Sequence, residues 1–254
     1  MPTKALLLGA TGGCGAEALL RLLERGVAVT TIVRSESRLP EAAKGHKLLT
    51  VVEAPNGHLA LSDAEMMGHV RGCDAVVSCL GHNLTFKGVY GSPRMLCRDT
   101  VRQVCEACRQ LQPPSPVKLV VVSTEGVDRP DGADPKRGLA ERLVLWLLWL
   151  LLPPHADNMA VVEYLHREAP SNPHVEFCAP RPSDMGPPRH TPGEEPAAFT
   201  LHATLQNGLF NAGSTRKASV GAFMADLVTK ASSWQQWRNA YPHILDPAPE
   251  KKQA

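Results

Sequence analysis

The sequence predicts an α/β fold, a doubly wound parallel sheet, and three observations carry that expectation. Short apolar runs alternate with helical stretches along the first two thirds of the chain, the order that builds parallel strands joined by crossover helices. The first run feeds a glycine-rich turn, Gly9-Ala10-Thr11-Gly12-Gly13-Cys14-Gly15. The runs are continuously apolar, as strands covered on both faces must be.

Taken in order, Ala5 to Ala10 and Val27 to Val33 are the first two strands. Between them lies a helix from Gly15 to Arg25, with leucines at 19, 20, 22 and 23 and a stop at Gly26. A third strand is expected at Lys47 to Ala54, then a helix opened by Ser62-Asp63-Ala64-Glu65, which has the form of a capping box. Ala75 to Leu80 is the fourth strand. Ser92-Pro93 is read as the N-cap and first-turn pair of the next helix, whose stripe Cys97, Val101, Val104, Cys108, Leu111 has helical period. Val117 to Val122 and Val175 to Ala179 complete a sheet of Rossmann type. Past Pro180, prolines at 182, 187, 188, 192 and 196 mark irregular connections, with a short strand around Phe199 to Thr204 and a helix from about Ser219 to Lys230.

Length favours one large domain: 254 residues, with 1–248 expected as a single folded unit, substrate-side segments within about 136–216 and a flexible tail at 249–254. A net charge of +2 with 20% charged residues creates no field that implies a nucleic-acid partner. Seven cysteines scattered through apolar segments do not form a secreted disulfide framework. The first apolar run lacks a preceding basic region and is short for a signal peptide, so a cytoplasmic location is expected.

Leu143 to Leu152 is an unbroken apolar run containing Trp146 and Trp149. It is too short to span a bilayer as a helix, which takes about 20 residues. Two readings stand: a buried or subunit-packing helix stopped by Pro153-Pro154, or a lid or monotopic membrane contact, with Lys136, Arg137 and Arg142 just upstream. A monomer or a homodimer fits either.

Gly9, Gly12 and Gly15 follow a strand and open a helix, the context that makes such a triplet a dinucleotide fingerprint. Gly9 serves the tight turn, Gly12 the close approach of backbone to pyrophosphate, and Gly15 the packing of the helix. Thr11, Gly13 and Cys14 complete the cradle, with the positive end of the helix aimed at the phosphates. At the second strand's end, where an NAD enzyme places an acid for the ribose 2′-hydroxyl, stands Val33-Arg34-Ser35. Arg34 suits a 2′-phosphate, with Ser35 and Arg38 as further donors, so the expected cofactor is NADP(H).

This loop, with Val77-Ser78-Cys79-Leu80-Gly81, Val122-Ser123-Thr124, Ala179-Pro180-Arg181-Pro182 and Ser214-Thr215-Arg216, resembles the atypical short-chain dehydrogenase/reductases. It is most similar to their NmrA-like and biliverdin reductase B-like group. The resemblance implies that Leu80 and Gly81 line the cofactor groove. It also implies that Ser123 and Thr124 sit by the nicotinamide ribose or the substrate, and that Arg181 and Pro182 border the nicotinamide.

That family's usual proton donor is a Tyr with a Lys four residues on. Here Tyr90 is followed at that spacing by Arg94, Tyr164 by Glu168 and Tyr241 by Leu245, so the pair is missing. His155 and Asp157 are the candidate acid and its orienter, with Ser123 beside them; alternatively Asp157 or Asn158 caps the helix that follows. Cys105-Glu106-Ala107-Cys108 is a single CxxC inside a helix, with no second ligand pair, and no metal is expected. Cys14, at a helix N-terminus, is a candidate low-pKa thiol or a small filler of the loop. The leading expectation is an NADPH-dependent reductase of an apolar carbonyl or conjugated small molecule, its pocket lined from Tyr90, Trp146, Trp149 and the 187–199 loop. A non-catalytic NADP(H) sensor and an isomerase or epimerase are the alternatives.

Overall fold

Leu6, Leu7 and Leu8 are inaccessible to solvent in the computed structural model, which describes residues 2–83, 85–185, 198–211 and 213–247. They belong to β1 (Lys4–Leu8), a strand covered on both sides. Its side chains alternate between two cores, Ala5 and Leu7 in one and Leu6 and Leu8 in the other. Around it stand β2 (Ala28–Val33), β3 (Leu49–Glu53), β4 (Ala75–Ser78), β5 (Val117–Val121) and β6 (Val175–Cys178). All pairings are parallel, in the order β3-β2-β1-β4-β5-β6. Chain direction through the sheet reverses between β1 and β4, and such a switch opens a crevice at the carboxyl ends of the strands.

One face is covered by α1 (Gly13–Glu24) and α7 (Lys217–Thr229), followed by α8 (Ala231–Trp237). The first two cross so closely that a Cβ on Gly221 would stand 2.7 Å from the Glu17 carbonyl carbon. Arg25 ties the pair, with Nη1 2.5 Å from Asp226 Oδ1 and 3.2 Å from Thr229 Oγ1. The other face carries α2 (Asp63–Val70), α4 (Leu96–Leu111) and α6 (Pro153–Arg167). The capping box is formed: Ser62 accepts from the Glu65 amide while Glu65 accepts from the Ser62 amide.

Three expectations about elements are corrected. Ser92-Pro93 does not open α4, which begins at Leu96 behind Met95; ahead of Ser92 the chain holds a short helix, α3 (Phe86–Tyr90), capped by Thr85. Neither Asp157 nor Asn158 caps α6, because Pro153 and Pro154 open it: proline lacks the amide that a first turn leaves unbonded anyway. And the apolar run is no buried helix. It lies in α5 (Leu139–Leu151), in which no residue is fully buried, and the chain bends by 103° between α5 and the continuation from Pro153. Among the described residues no single helix is long and apolar enough to cross a membrane.

The C-terminal third adds a small sheet of β7 (Arg181–Pro182), β9 (His243–Leu245) and β8 (Thr200–His202). Pro187, Pro188, Pro192 and Pro196 lie outside the described residues, as does the segment from 248 onward.

Candidate functional site

At the carboxyl end of β1 the chain turns through Gly9, whose φ of +89° is costly for any residue with a Cβ. A Cβ there would also lie 2.7 Å from the Cys79 carbonyl oxygen. One on Gly15 would reach 2.0 Å from the Gly9 carbonyl oxygen, so the loop closes on α1 only with glycine at both places. Gly12 is the N-cap of α1 and offers no side-chain acceptor to its first turn, leaving the helix without an internal cap where a phosphate would bind. Thr11 is half-buried and Gly13 exposed on the same turn. Lys217, at the start of α7, lies across Gly13, its Nζ 3.7 Å from where a Cβ of that glycine would sit. The loop motif gives no hint of this lysine, which reaches the phosphate turn only through the α1–α7 crossing.

Cys14 does not become a reactive thiol. Burial pushes it up to about 11 against the opposing charge of Lys217, with Glu17 adding to the rise, and Sγ lies 3.3 Å from Met185 Sδ. Partial enclosure outweighs the helix terminus here.

Arg34 is exposed at the carboxyl end of β2, with Ser35 half-buried beside it and Arg38 exposed on the following turn. Ser35 Oγ is 2.9 Å from Ser37 Oγ. The parallel register also sets Glu53, at the end of β3, beside Val33, a neighbour that reading along β2 alone does not reveal. Its carboxylate accepts the Glu36 amide at 2.6 Å and is thereby held against the backbone.

β4 and β5 run side by side, and their carboxyl ends carry Leu80 and Gly81 on one and Ser123 and Thr124 on the other. The hydroxyls of Ser78 and Ser123 are buried there with no hydrogen-bond partner among the described residues. Buried hydroxyls are normally paired, so two orphans at this edge fit a polar ligand lying across it. Thr124 Oγ1 accepts the Gly126 amide at 3.3 Å.

His155 and Asp157 are separated rather than coupled. Asp157 is fully buried and points at α4, where its two oxygens accept the Cys97 and Arg98 amides at 2.8 and 2.9 Å. It also lies 2.8 Å from His82 Nε2, while His82 Nδ1 is 3.2 Å from the Gly88 carbonyl oxygen. Asp157 is thus the remote cap of α4, not the orienter of His155. His82, Cys97 and Asp157 place ligating atoms within 4.8 Å of one another, yet Asp157 already serves these three donors and Cys97 is a thiol that burial pushes well up. His82 went unremarked at the level of sequence because its partner is contributed by α6.

His155 instead faces a cavity of about 410 Å³ between α5, α6 and the chain after β5. Leu145, Trp146, Trp149 and Met159 line it with Gly126 and Val127. The ring packs over Gly126, Nε2 is buried without a partner, and burial followed by the nearby Arg137 charge lowers its pKa. Trp146 and Trp149 thus line this cavity, whereas Tyr90 sits on α3 against Phe86 and Phe199 packs on Phe223 under α7.

The backbone sets Arg181 and Pro182 beside the edge after β5, where the Ser123 and Glu125 amides donate to the Pro180 and Pro182 carbonyls at 2.8 and 3.1 Å, but the Arg181 side chain is turned into the fold. It is fully buried, its guanidinium donating to both Asp134 oxygens at 2.5 and 3.0 Å and to the Tyr241 and Val127 carbonyls. Pro182 is buried beside it. Burial raises the Asp134 carboxyl, but Arg181 together with the Arg129 and Leu205 amides outweighs it and holds the group low. Four of the five N–H groups of this guanidinium are thus engaged inside the fold, and the side chain serves its packing. Ser183, Glu125 and His243 form another buried cluster: Gln206 donates to His243 Nδ1, so a neutral ring donates from Nε2 to Ser183, and Ser183 donates to Glu125. The direction of these bonds is the reverse of that in an activated serine.

A parallel sheet with this strand order, a glycine turn opening α1 and orphan hydroxyls at the strand ends defines a nicotinamide-dinucleotide-binding protein of Rossmann type. The chain belongs to the NAD(P)H-binding family, which it matches over residues 9–149, in agreement with its resemblance to the atypical short-chain dehydrogenase/reductases. Among solved structures it is similar to the oxidoreductase ylbE from Lactococcus lactis, with a TM-score of 0.64 and 14% identity over 96% of this chain and 91% of that one. A protein from Bacillus halodurans assigned as an NAD-dependent epimerase/dehydratase gives 0.64 at 16% identity, covering 96% and 94%. A protein from Streptococcus pneumoniae assigned as an NADH-flavin reductase gives 0.59 at 16% identity, covering 96% and 100%. At these identities the likeness is one of fold. No curated protein sequence matches the chain at a significant level.

Proposed function

We propose that the protein is an NADP(H)-dependent oxidoreductase acting on an apolar carbonyl or conjugated small molecule. The observation that carries this reading is the glycine cradle followed by an exposed Arg34 at the end of β2. An exposed guanidinium at this strand end supports pairing with a 2′-phosphate, and Lys217 adds positive charge at the phosphate turn. When bound, the reduced nicotinamide supplies a hydride.

The chain's own part is to bind, orient and hold a proton. Ser123 and Thr124 offer hydroxyls at the edge of the crevice. Leu145, Trp146, Trp149 and Met159 give the adjoining cavity an apolar lining. His155, buried beside that cavity with its pKa lowered, offers an imidazole N–H as a hydrogen bond to a carbonyl oxygen, and the proton that completes the reduction comes from water.

Titration with NADPH and NADH tests the cofactor. NADPH should bind more tightly, and Arg34→Ala should weaken it about 10- to 100-fold, the loss of one or two charge-assisted hydrogen bonds, with NADH little affected. Equal or tighter NADH binding overturns the assignment. Following NADPH absorbance with quinones, aldehydes and enones tests the reaction, and His155→Ala should lower kcat without changing the NADPH Kd. A non-catalytic NADP(H) sensor is the second reading, favoured by the missing Tyr/Lys pair and by burial, which pushes the Tyr164 and Tyr241 phenols upward. Tight NADPH binding with no oxidation across the panel selects it.

A further inference from the structure

Among the described residues, the outer face of α5 gathers most of the large exposed apolar side chains, and the cofactor site leaves it unused. Leu139, Leu143, Trp146, Leu147, Trp149, Leu150 and Leu151 are all exposed, between 39% and 81%. At about 100° per residue, these side chains sweep an arc of about 200° around the helix, shared only with Ala140 and, near one edge, Arg142. Glu141, Val144, Leu145 and Leu148 occupy the inner side, where the Glu141 carboxylate accepts the Leu209 amide at 2.5 Å. Phe210, 67% exposed, follows next along the chain.

The width of this arc selects the occupant. A helix that packs on a protein partner needs an apolar stripe of roughly 100°. A second copy would therefore cover the middle of this face and leave tryptophan and leucine in water on its flanks. A lipid surface meets the whole half-cylinder at once. The remaining chemistry agrees: tryptophan is favoured at the lipid–water boundary, exposed Lys136 and Arg142 flank the amino end of the face, and Glu141, the acid of this helix, is turned inward. A helix of 13 residues is about 20 Å long, enough to lie in a bilayer surface and too short to cross one.

We infer that α5 docks the protein in the plane of an anionic membrane, through Leu139, Leu143, Trp146 and Leu150. Trp146 and Trp149 also line the cavity that His155 faces, so that cavity opens beside the docked face. Resting on the oxidoreductase reading above, the substrate is then a lipid-dissolved quinone or carbonyl that enters from the bilayer.

Flotation of the full chain with vesicles of phosphatidylcholine, alone or mixed with phosphatidylserine, tests the docking without any turnover. The protein should float with the mixed vesicles and less with the neutral ones. Leu143→Glu/Leu150→Glu, at two exposed positions that do not line the cavity, should cut the partition about tenfold or more while melting and NADPH affinity stay unchanged. Lys136→Glu/Arg142→Glu should abolish the preference for phosphatidylserine. Absence of flotation with both vesicles overturns the inference, as does a stable dimer in solution that Leu143→Glu/Leu150→Glu dissociates. The substrate class has its own readout, since reduction of a quinone consumes one NADPH and one proton and yields quinol and NADP⁺. A long-chain quinone in vesicles should be reduced by the parent chain and not by the double leucine variant, with a water-soluble quinone reduced by both. Flotation with no NADPH oxidised across quinones, aldehydes and enones refutes the oxidoreductase reading and leaves the docking intact.

Discussion

His58 shows how a single buried side chain couples this protein to pH. It lies under α4 with Nε2 2.6 Å from Thr100 Oγ1, and that hydroxyl donates to the Leu96 carbonyl, so the ring nitrogen must be the donor of the first bond. Burial lowers its pKa from 6.5 to about 4. Above pH 6.5 neither the folded nor the unfolded ring is charged, and stability is unaffected by this group. Between pH 6.5 and 4 the unfolded chain takes up a proton that the folded one refuses, so stability falls as pH falls, by about 3 kcal/mol in all. Urea melts of the parent and of His58→Gln, which keeps a donor in place, should differ in slope with pH across this window and run parallel above it. Arg34 belongs to the same scale: its type and its place at a strand end were readable from sequence alone. The turning of Glu53 onto the Glu36 amide was not, because it depends on the register of β3 against β2.

At the scale of elements, the amino end of α4 explains why the catalytic reading of Asp157 fails. No side chain of its own segment caps this helix, since Met95 precedes it, and the buried amides of its first turn need an acceptor. Asp157 provides two oxygens from the first half of α6 and serves His82 as well. Asp157→Ala should therefore lower stability by about 3 kcal/mol, measured by urea denaturation, by leaving those amides and the His82 ring nitrogen without their partner. Spacing within α6 gives no warning of this, because the partner helix begins about sixty residues earlier. Helix α5 is the complementary case. Its apolar pattern was plain in the sequence, but an apolar helix can be a core or a surface, and only the 103° bend before α6 turns it outward.

Across the whole molecule, the C-terminal third is pinned to the sheet through Arg181 and Asp134. That pair joins β7, the chain after β5 and the segment before Gln206, with the guanidinium completely removed from water. Asp134→Ala leaves a buried charge uncompensated and should destabilise the fold by about 3 to 5 kcal/mol in a urea melt, while Asp134→Leu/Arg181→Met should recover much of the loss. The glycine turn and Arg34 lie apart from this pair, after β1 and β2, and dinucleotide affinity should follow Arg34 far more than either of its members.

Local chemistry made the succession of strands and helices, the glycine turn, the capping box and the basic end of β2 legible from the amino-acid sequence, because each depends on neighbours a few residues apart: an apolar period, a missing Cβ, a serine three positions before a glutamate. The tertiary structure decided the rest. It buried Arg181, moved Asp157 to another helix, set Lys217 over Gly13, brought His155 to a cavity and left α5 facing outward. These outcomes depend on partners tens to hundreds of residues away, and the energy of a buried charge or an orphan amide is settled by which partner arrives, a choice that only the packing of the whole chain makes.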